Sequence, residues 1–317
     1  MMSFINPLLS FILMFICGTS VIADTSPTSL TPTLTPVAQY ENFIFFGVDP
    51  LRFEATKDAF GSTRLLFAAA VAARGNDLFV ADTGQQTIFH IDRAQNTISK
   101  FVTLTSGQFT ALYLAQDLTL YVADRNQHQV VQYARDGRLL KTFRDPFLLS
   151  SPVDVAEAEG LDRVLIADEL GAHIIEYSHI GAPIEVIGQD INIPDPLSSI
   201  TAMAVNGKEI FLLDNLAREV HVINSSGELL YRISSPDMKQ PMALAVDECQ
   251  RIFVADRFDN SIYVFHYDNL LTVYKNENPG LSGFQYITDL WIDNNYLYVA
   301  DGPTGRIKVF LIEGDCH

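Results

Sequence analysis

Residues 241–265 read PMALAVDECQRIFVADRFDNSIYVF, and their pattern indicates the fold most clearly. It contains three short apolar segments separated by residues that favour turns, and the second segment ends at Asp256. Short segments rich in Val, Ile, Tyr and Phe, bounded by Asp and Asn, are typical of β-strands. The 3.6-residue periodicity of an amphipathic helix is absent. The stretch therefore predicts three antiparallel strands joined by tight turns.

The second of these segments recurs six times along the chain. Each copy ends in an aspartate, and the six are Asp82, Asp124, Asp168, Asp214, Asp256 and Asp301, at intervals of 42, 44, 46, 42 and 45 residues. Each copy has an apolar strand before it and another after it, and a fourth is visible in residues 136–143. Four short strands per repeat of this length make one propeller blade. The sequence predicts an all-β, six-bladed β-propeller with four-stranded blades.

Two copies carry a family resemblance most clearly, residues 241–265 and residues 120–143 (LYVADRNQHQVVQYARDGRLLKTF). They resemble NHL repeats, in which an apolar strand is followed by a Tyr-Val-Ala-Asp-like strand and then by a glycine-containing turn. The resemblance extends over about residues 66–311 and implies a six-bladed propeller. It implies no particular activity, because propellers include enzymes, substrate-binding domains and sensors.

The sixth repeat is one strand short. Its third strand ends at Leu311, and only residues 313–317 follow. A missing strand would leave an unpaired sheet edge. The apolar and aromatic segment 42–53 precedes blade one and has no other assignment, so we expect residues near 43–48 to form the outermost strand of blade six and close the ring.

The N-terminus has a different composition from the rest of the chain. Residues 4–23 are mostly apolar, and small-residue positions at Val21 and Ala23 favour cleavage after Ala23. We therefore predict a signal peptide at residues 1–23, although a run of this length could also remain as a membrane anchor. Residues 24–38 are rich in Ser, Thr and Pro and are predicted to be a linker to a propeller at residues 39–317. The expected location is secreted or periplasmic, with extracytoplasmic membrane anchoring as the alternative.

The charge of the chain restricts its partners. It carries 38 acidic and 21 basic residues, for a net charge of −17. Nucleic acid is a poor candidate, because its binding depends on Lys and Arg neutralising phosphates. We expect a protein, peptide or glycan ligand and a monomeric chain.

One position of the repeat differs between blades in a way that suggests chemistry. The third residue of the innermost strand reads, in order, Ala70, Ala111, Asp154, Ala202, Ala243 and Asp289. The two acids lie on blades three and six, which are opposite in a six-fold ring. They could hold Ca²⁺ or another divalent ion through waters, or bind a cationic ligand. Alternatively, each could accept hydrogen bonds from nearby backbone N–H groups. By contrast, an aspartate that ends the second strand of every blade favours a structural role in the following turn.

Two kinds of propeller enzyme hold a metal ion near the axis and offer a comparison for the remaining candidate ligands. The amidating lyase, similar in repeat type, holds zinc with histidines, but the histidines of this chain share no register in their blades; they are His90, His128, His173, His221 and His266. A lactonase-type metal site would draw on the acids and amides on or just after inner strands, which are Asp154, Asn206, Asp247, Asp289 and Asp293. Trp291, the only tryptophan, is expected to pack in the core of blade six.

Two cysteines remain after the predicted cleavage, Cys249 and Cys316. Their turns lie at the same end of neighbouring blades, so a disulfide is geometrically possible and an exported chain would permit it; two free thiols are the alternative.

The sequence as a whole favours a non-catalytic binding propeller outside the cytoplasm, with no cofactor. The alternative is a metal-dependent hydrolase or lyase acting at the channel mouth, with Asp154 and Asp289 as metal ligands.

Overall fold

The computed structural model describes residues 30–41, 44–47, 65–95, 97–158, 162–188, 197–275 and 283–314. The predicted signal peptide lies outside these residues. The described part is all-β except for a single 3₁₀ turn, Gly302–Thr304. None of the helical structure in these ranges is long and apolar enough to cross a membrane.

The strands follow one another as consecutive antiparallel sheets. Two N-terminal strands come first, β1 (Thr33–Glu41) and β2 (Ile44–Gly47). Blade one comprises β3 (Ala68–Arg74), β4 (Asp77–Asp82), β5 (Thr87–Asp92) and β6 (Thr97–Thr103). Blade two comprises β7 (Phe109–Leu114), β8 (Leu120–Asp124), β9 (Gln129–Tyr133) and β10 (Leu139–Phe143). Blade three comprises β11 (Pro152–Ala158), β12 (Arg163–Asp168), β13 (His173–Ser178) and β14 (Pro183–Ile187).

The second half of the chain repeats the pattern. Blade four comprises β15 (Ile200–Asn206), β16 (Glu209–Asp214), β17 (Glu219–Asn224) and β18 (Leu229–Ser234). Blade five comprises β19 (Pro241–Val246), β20 (Arg251–Asp256), β21 (Ser261–His266) and β22 (Asn269–Tyr274). Blade six contains β23 (Ile287–Asp293), β24 (Tyr296–Asp301) and β25 (Arg306–Glu313). Each innermost strand contacts those of both neighbouring blades, and β23 contacts β3, so the ring closes. The predicted six-bladed β-propeller is confirmed.

The burial of the strands explains the sequence pattern. The second strand of a blade is covered on both faces by the neighbouring blades, and β4, β8 and β20 are buried at every position. Such strands read as continuous apolar runs rather than as alternating ones. The hydrophobic core consists of separate clusters between adjacent blades; one of them joins Phe79 of blade one to Phe109 and Leu112 of blade two.

The repeated aspartates are structural, as the sequence predicts. Asp168 is fully buried, and its carboxylate accepts hydrogen bonds from the backbone N–H of Ser150 at 2.7 Å and of Ser151 at 2.5 Å in the loop that enters the blade. It also accepts one from Gly171 N–H at 2.7 Å in the turn that follows. The other five aspartates accept backbone hydrogen bonds from the equivalent entry loops. Each aspartate therefore fixes the end of its blade to the connection from the blade before it.

The ring is closed by an N-terminal strand, but the strand lies earlier in the chain than the sequence indicates. β1 pairs with β25 over its whole length, from Thr33 opposite Glu313 to Glu41 opposite Arg306. β2 pairs with β1 and forms a fifth, outermost strand. Residues 44–47 do form an outermost strand, but as a fifth one. The fourth position of blade six, which we expected residues near 43–48 to fill, belongs to residues 33–41, of which 33–38 were predicted to be linker.

The linker prediction was wrong for residues 33–38. It was based on their high Thr and Pro content and gave no weight to the few apolar residues among them. Leu34 packs into the cluster between blades five and six, and Ala38 packs into the cluster between blades six and one. The hydroxyl of Tyr274, on the last strand of blade five, also donates a hydrogen bond to the carbonyl of Pro32. A Ser/Thr/Pro-rich segment can form an edge strand when its few apolar residues lie on the buried positions. The propeller therefore begins before residue 39.

Candidate functional site

A cavity of about 570 Å³ lies on the axis of the propeller. Its walls come mainly from the innermost strands of blades two to six, and Arg74 of blade one also lines it. Its rim includes Gln116 and Asp162 in turns that leave the innermost strands. It therefore extends to the end of the disc at which the innermost strands finish. A cavity of this size is in the range that encloses a small organic molecule.

Asp154 and Asp289 both line this cavity, as their positions in the repeat predict. One carboxylate oxygen of Asp154 accepts from the N–H of Val155 at 2.8 Å, and the other accepts from Met203 N–H of blade four at 2.7 Å. Asp289 repeats the arrangement, accepting from Leu290 N–H at 2.9 Å and from Val71 N–H of blade one at 2.8 Å. Each aspartate therefore links its own innermost strand to that of the next blade.

Both carboxyl groups are unusually hard to ionise. Desolvation deep in the channel raises the pKa of Asp154 from 3.8 to about 7, against two backbone hydrogen bonds that lower it. Desolvation also raises the pKa of Asp289 well above its usual range, and the negative charge of Asp154 raises it further. The two groups interact electrostatically across the channel, so the second charge costs more than the first.

Aromatic side chains form one side of the cavity. The rings of Tyr113 and Trp291 meet edge to face, with centroids 5.7 Å apart, although their blades are separated by blade one. The innermost strand of blade one reads AAAVAAR, and its small side chains leave room for the two larger ones. The indole N–H of Trp291 donates to the carbonyl of Ala73 at 2.7 Å. Trp291 therefore packs on the core, as expected, and also faces the channel.

The rim of the cavity carries charges that are paired within the protein. Glu157 accepts a hydrogen bond from the hydroxyl of Tyr121 at 3.0 Å, and the positive charge of Arg74 acts to lower its pKa against the larger effect of burial. Arg163 forms an ion pair with Glu176. In the described part of the chain, neither Asp154 nor Asp289 forms an ion pair with a cationic side chain.

The other members of the lactonase-type set do not face the cavity. The side-chain amide of Asn206 donates to the carbonyl of Asp247 at 2.8 Å, and the carboxylate of Asp247 binds the guanidinium of Arg251 at 2.6 Å. Asp293 accepts from Gly75 N–H at 2.9 Å and joins blade six to blade one. The structure assigns all three a local role in holding strands and turns.

The histidines are dispersed, as their lack of register indicates. His90 binds Asp77 at 2.6 Å, and His173 contacts backbone carbonyls of Gly171 and Leu148. Across residues 30–314, wherever the structure describes them, no three His, Cys, Asp or Glu side chains come together in a group that could hold a metal ion. Two carboxylates whose oxygens already accept backbone hydrogen bonds are a poor donor set for Ca²⁺, which takes six to eight oxygens. The metal site stays a prediction.

Cys249 is disulfide-bonded. Cys316, the partner expected from the sequence, lies outside the described residues. The nearest described residue, Gly314, accepts a 3.5 Å hydrogen bond from Arg251, which is two residues from Cys249. The chain thus approaches the Cys249 turn just before position 316, and the Cys249–Cys316 pairing remains a prediction.

A second candidate binding surface, made of exposed apolar side chains, is not among the predictions from the sequence. The turn after each repeated aspartate lies at the end of the disc opposite the cavity rim, and its second residue is a large exposed apolar side chain in three consecutive blades. These are Leu170, Leu216 and Phe258, which are 76%, 69% and 69% exposed. Phe147, in the loop entering blade three, is 90% exposed. We call these four residues the apolar arc. Aligning the six turns by their aspartates would have revealed three of its members.

Solved structures with the same fold have varied functions. Virginiamycin B lyase from Staphylococcus aureus is similar with a TM-score of 0.61 and 11% identity, over 78% of this chain and 96% of that one. The WD40 propeller of Doa1 has a TM-score of 0.58 and 12% identity, over 76% of this chain and 77% of that one. A Bacteroides thetaiotaomicron protein of unknown function has a TM-score of 0.62 and 14% identity, over 83% and 73%. No protein-family model matches the chain, and no curated sequence matches it significantly. At these identities the similarity shows the β-propeller fold alone.

Proposed function

We propose that the chain is a non-catalytic binding propeller that works outside the cytoplasm and docks an apolar segment of a polypeptide on the apolar arc. The observation that supports this most strongly is the register of the arc. Leu170, Leu216 and Phe258 lie at one repeat position, on the blades three to five. Exposed apolar side chains that cluster on one surface are typical of protein-binding sites.

The fold itself does not require apolar residues in these turns. At the same position blade one has Gly84, blade two has Asn126 and blade six has Pro303. The turns form equally well in those blades, so the apolar side chains of blades three to five are not needed for folding. A polypeptide is favoured over a glycan because aliphatic leucine side chains pack well against other apolar side chains and offer no polar group to sugar hydroxyls.

We further propose that the six blades are NHL-type repeats and that residues 1–23 direct export, with cleavage after Ala23. The disulfide at Cys249 supports an oxidising compartment, since disulfides are rare in the cytosol. Cell fractionation followed by N-terminal sequencing tests the export proposal. A mature chain that starts at Asp24 supports it, and an intact Met1 in the membrane fraction contradicts it in favour of an anchor.

The docking surface is tested by selecting displayed random peptides on the purified propeller and measuring their affinity. We expect apolar peptides whose binding weakens at least tenfold in the triple variant Leu170→Ser, Leu216→Ser, Phe258→Ser. The matched control is Ile184→Ser with Leu230→Ser, which removes two exposed apolar side chains from outer strands. Equal losses in both variants, or selected peptides that ignore the arc, would contradict the proposal. So would a glycan array in which sugars bind the arc and peptides do not.

A further inference from the structure

The axial cavity has features that play no part in polypeptide binding at the apolar arc. It lies toward the end of the disc opposite the arc, and it encloses about 570 Å³. Its two deep acids stand at a position that the repeat fills with alanine in the other four blades, Ala70, Ala111, Ala202 and Ala243. The carboxylates are therefore not required to build an innermost strand.

Ionisation of these two acids is electrostatically unfavourable. Each is desolvated, and the charge of Asp154 opposes ionisation of Asp289. In the described residues no cationic side chain is paired with either one, and their hydrogen-bond donors are neutral backbone N–H groups. Buried carboxyl groups that are this hard to ionise, lining a cavity, are characteristic of functional sites. A positive charge from a ligand would lower this cost directly.

The rest of the wall fits an organic cation better than a bare metal ion. Tyr113 and Trp291 line the same cavity, and aromatic faces attract ammonium groups. Leu112, Leu244 and Leu290 add apolar surface that suits a hydrocarbon body. A metal ion would leave that surface unused, and in the part of the chain that the structure describes no three His, Cys, Asp or Glu side chains come together to ligate one.

We propose that the axial cavity binds a small organic ammonium ion, with its cationic group between Asp154 and Asp289 and its apolar body against Tyr113 and Trp291. The site is separate from the apolar arc, so either proposal can fail without the other.

The sole tryptophan provides a direct readout, because Trp291 lines the cavity. Its fluorescence is titrated at constant ionic strength with phenethylammonium, benzyltrimethylammonium and larger ammonium ions. All of these ions are chosen so that they do not absorb at the excitation wavelength of tryptophan. Each ammonium ion is matched with a neutral isostere, with a hydroxyl in place of a primary ammonium group and a tert-butyl group in place of trimethylammonium, and CaCl₂ is titrated separately. We expect saturable binding of at least one ammonium ion, at least tenfold tighter than its neutral isostere.

The binding should weaken at least tenfold in Asp154→Ala and in Asp289→Ala. Asp154→Asn provides a second variant that removes the charge while keeping the shape. Glu185→Ala, on the exposed outer strand of blade three, changes the net charge equally and should bind like the wild type. Thermal unfolding confirms that each variant is folded.

Three results would overturn the proposal. The first is a panel in which no ammonium ion binds more tightly than its isostere. The second is ammonium binding that the aspartate variants leave unchanged. The third is saturable Ca²⁺ binding that requires both aspartates and excludes the ammonium ions, which would favour the metal site instead.

Discussion

Arg93 of blade one and Tyr298 of blade six are joined across the seam where the ring closes. The guanidinium donates to the tyrosine hydroxyl at 2.8 Å and lies over the ring, 5.4 Å from its centroid. Arg93 is only 2% exposed and also donates to the carbonyl of Gly75. This buried cation helps to fasten the last blade to the first.

Replacing Arg93 with alanine should therefore destabilise the whole propeller. The change leaves the Tyr298 hydroxyl and the Gly75 carbonyl without this donor and opens a cavity, and we expect a loss of about 3 kcal/mol in the free energy of unfolding. Denaturant unfolding measures it. Arg138→Ala, which removes an exposed arginine from blade two, is the control and should cost less than about 0.5 kcal/mol. Equal effects would show that the seam contact is unimportant.

The axial aspartates should make stability fall as pH rises. The folded-state pKa of Asp154, about 7, is above its unfolded value of 3.8, so the folded state binds the proton more tightly. This stabilisation is complete below the unfolded pKa and is lost as pH rises through about 7. Between about pH 5 and pH 8 we expect a loss on the order of 2 kcal/mol from this group. Thermal unfolding across this range should show a shallower slope for Asp154→Ala than for the wild type or Glu185→Ala.

A left-handed backbone position recurs four residues after the repeated aspartates. Ala172 occupies it with φ of 47°, and Gly305 occupies it in blade six with φ of 61°. A side chain is strained there, so Ala172→Gly should stabilise the protein by up to about 1 kcal/mol. Gly305→Ala should have the opposite effect, because its Cβ would lie 2.3 Å from the carbonyl oxygen of Leu65. We expect it to lower the free energy of unfolding by about 2 kcal/mol or more. Chemical denaturation of both variants checks the pair, and a destabilised Ala172→Gly would be inconsistent with this explanation.

Ring closure should depend on residues 33–41. A chain that begins at Leu30 keeps β1 and should unfold like the mature protein. A chain that begins at residue 42 loses every β1–β25 pair together with Leu34 and Ala38 from the core. We expect it to aggregate or to lose cooperative unfolding, because β25 becomes an exposed edge. Circular dichroism and analytical ultracentrifugation would show this, and a stable monomer from the shorter chain would disprove the assignment.

The disulfide of Cys249 should join Cys316. Non-reducing peptide mass spectrometry should detect the cross-linked pair, and Cys316→Ser should leave one alkylatable thiol at position 249. Loss of the link should destabilise the chain by about 2–4 kcal/mol, because it fastens the C-terminus beside blade five. Two free thiols in the wild-type protein would contradict the prediction.

The architecture could be predicted from the amino-acid sequence alone. The six aspartate-ended strands predict six blades because each of those strands is buried between neighbours and has to be apolar throughout, which leaves a strong periodic signal. The same alignment predicts that Asp154 and Asp289 stand across the axis, and the structure places both of them in one cavity. The short sixth repeat predicts that an N-terminal strand completes the ring.

The identity of the N-terminal strand that completes the ring, and the surroundings of the two acids, became visible only in the three-dimensional structure. The choice of Thr33–Glu41 depends on where Leu34 and Ala38 meet cores built from other blades, and composition gives no sign of that. The contact between Tyr113 and Trp291 arises because blade one is lined with alanines, so residues 178 positions apart come within reach. Local sequence specifies strands and turns, whereas a site on a propeller axis is assembled from residues of several blades and exists only after the ring has closed.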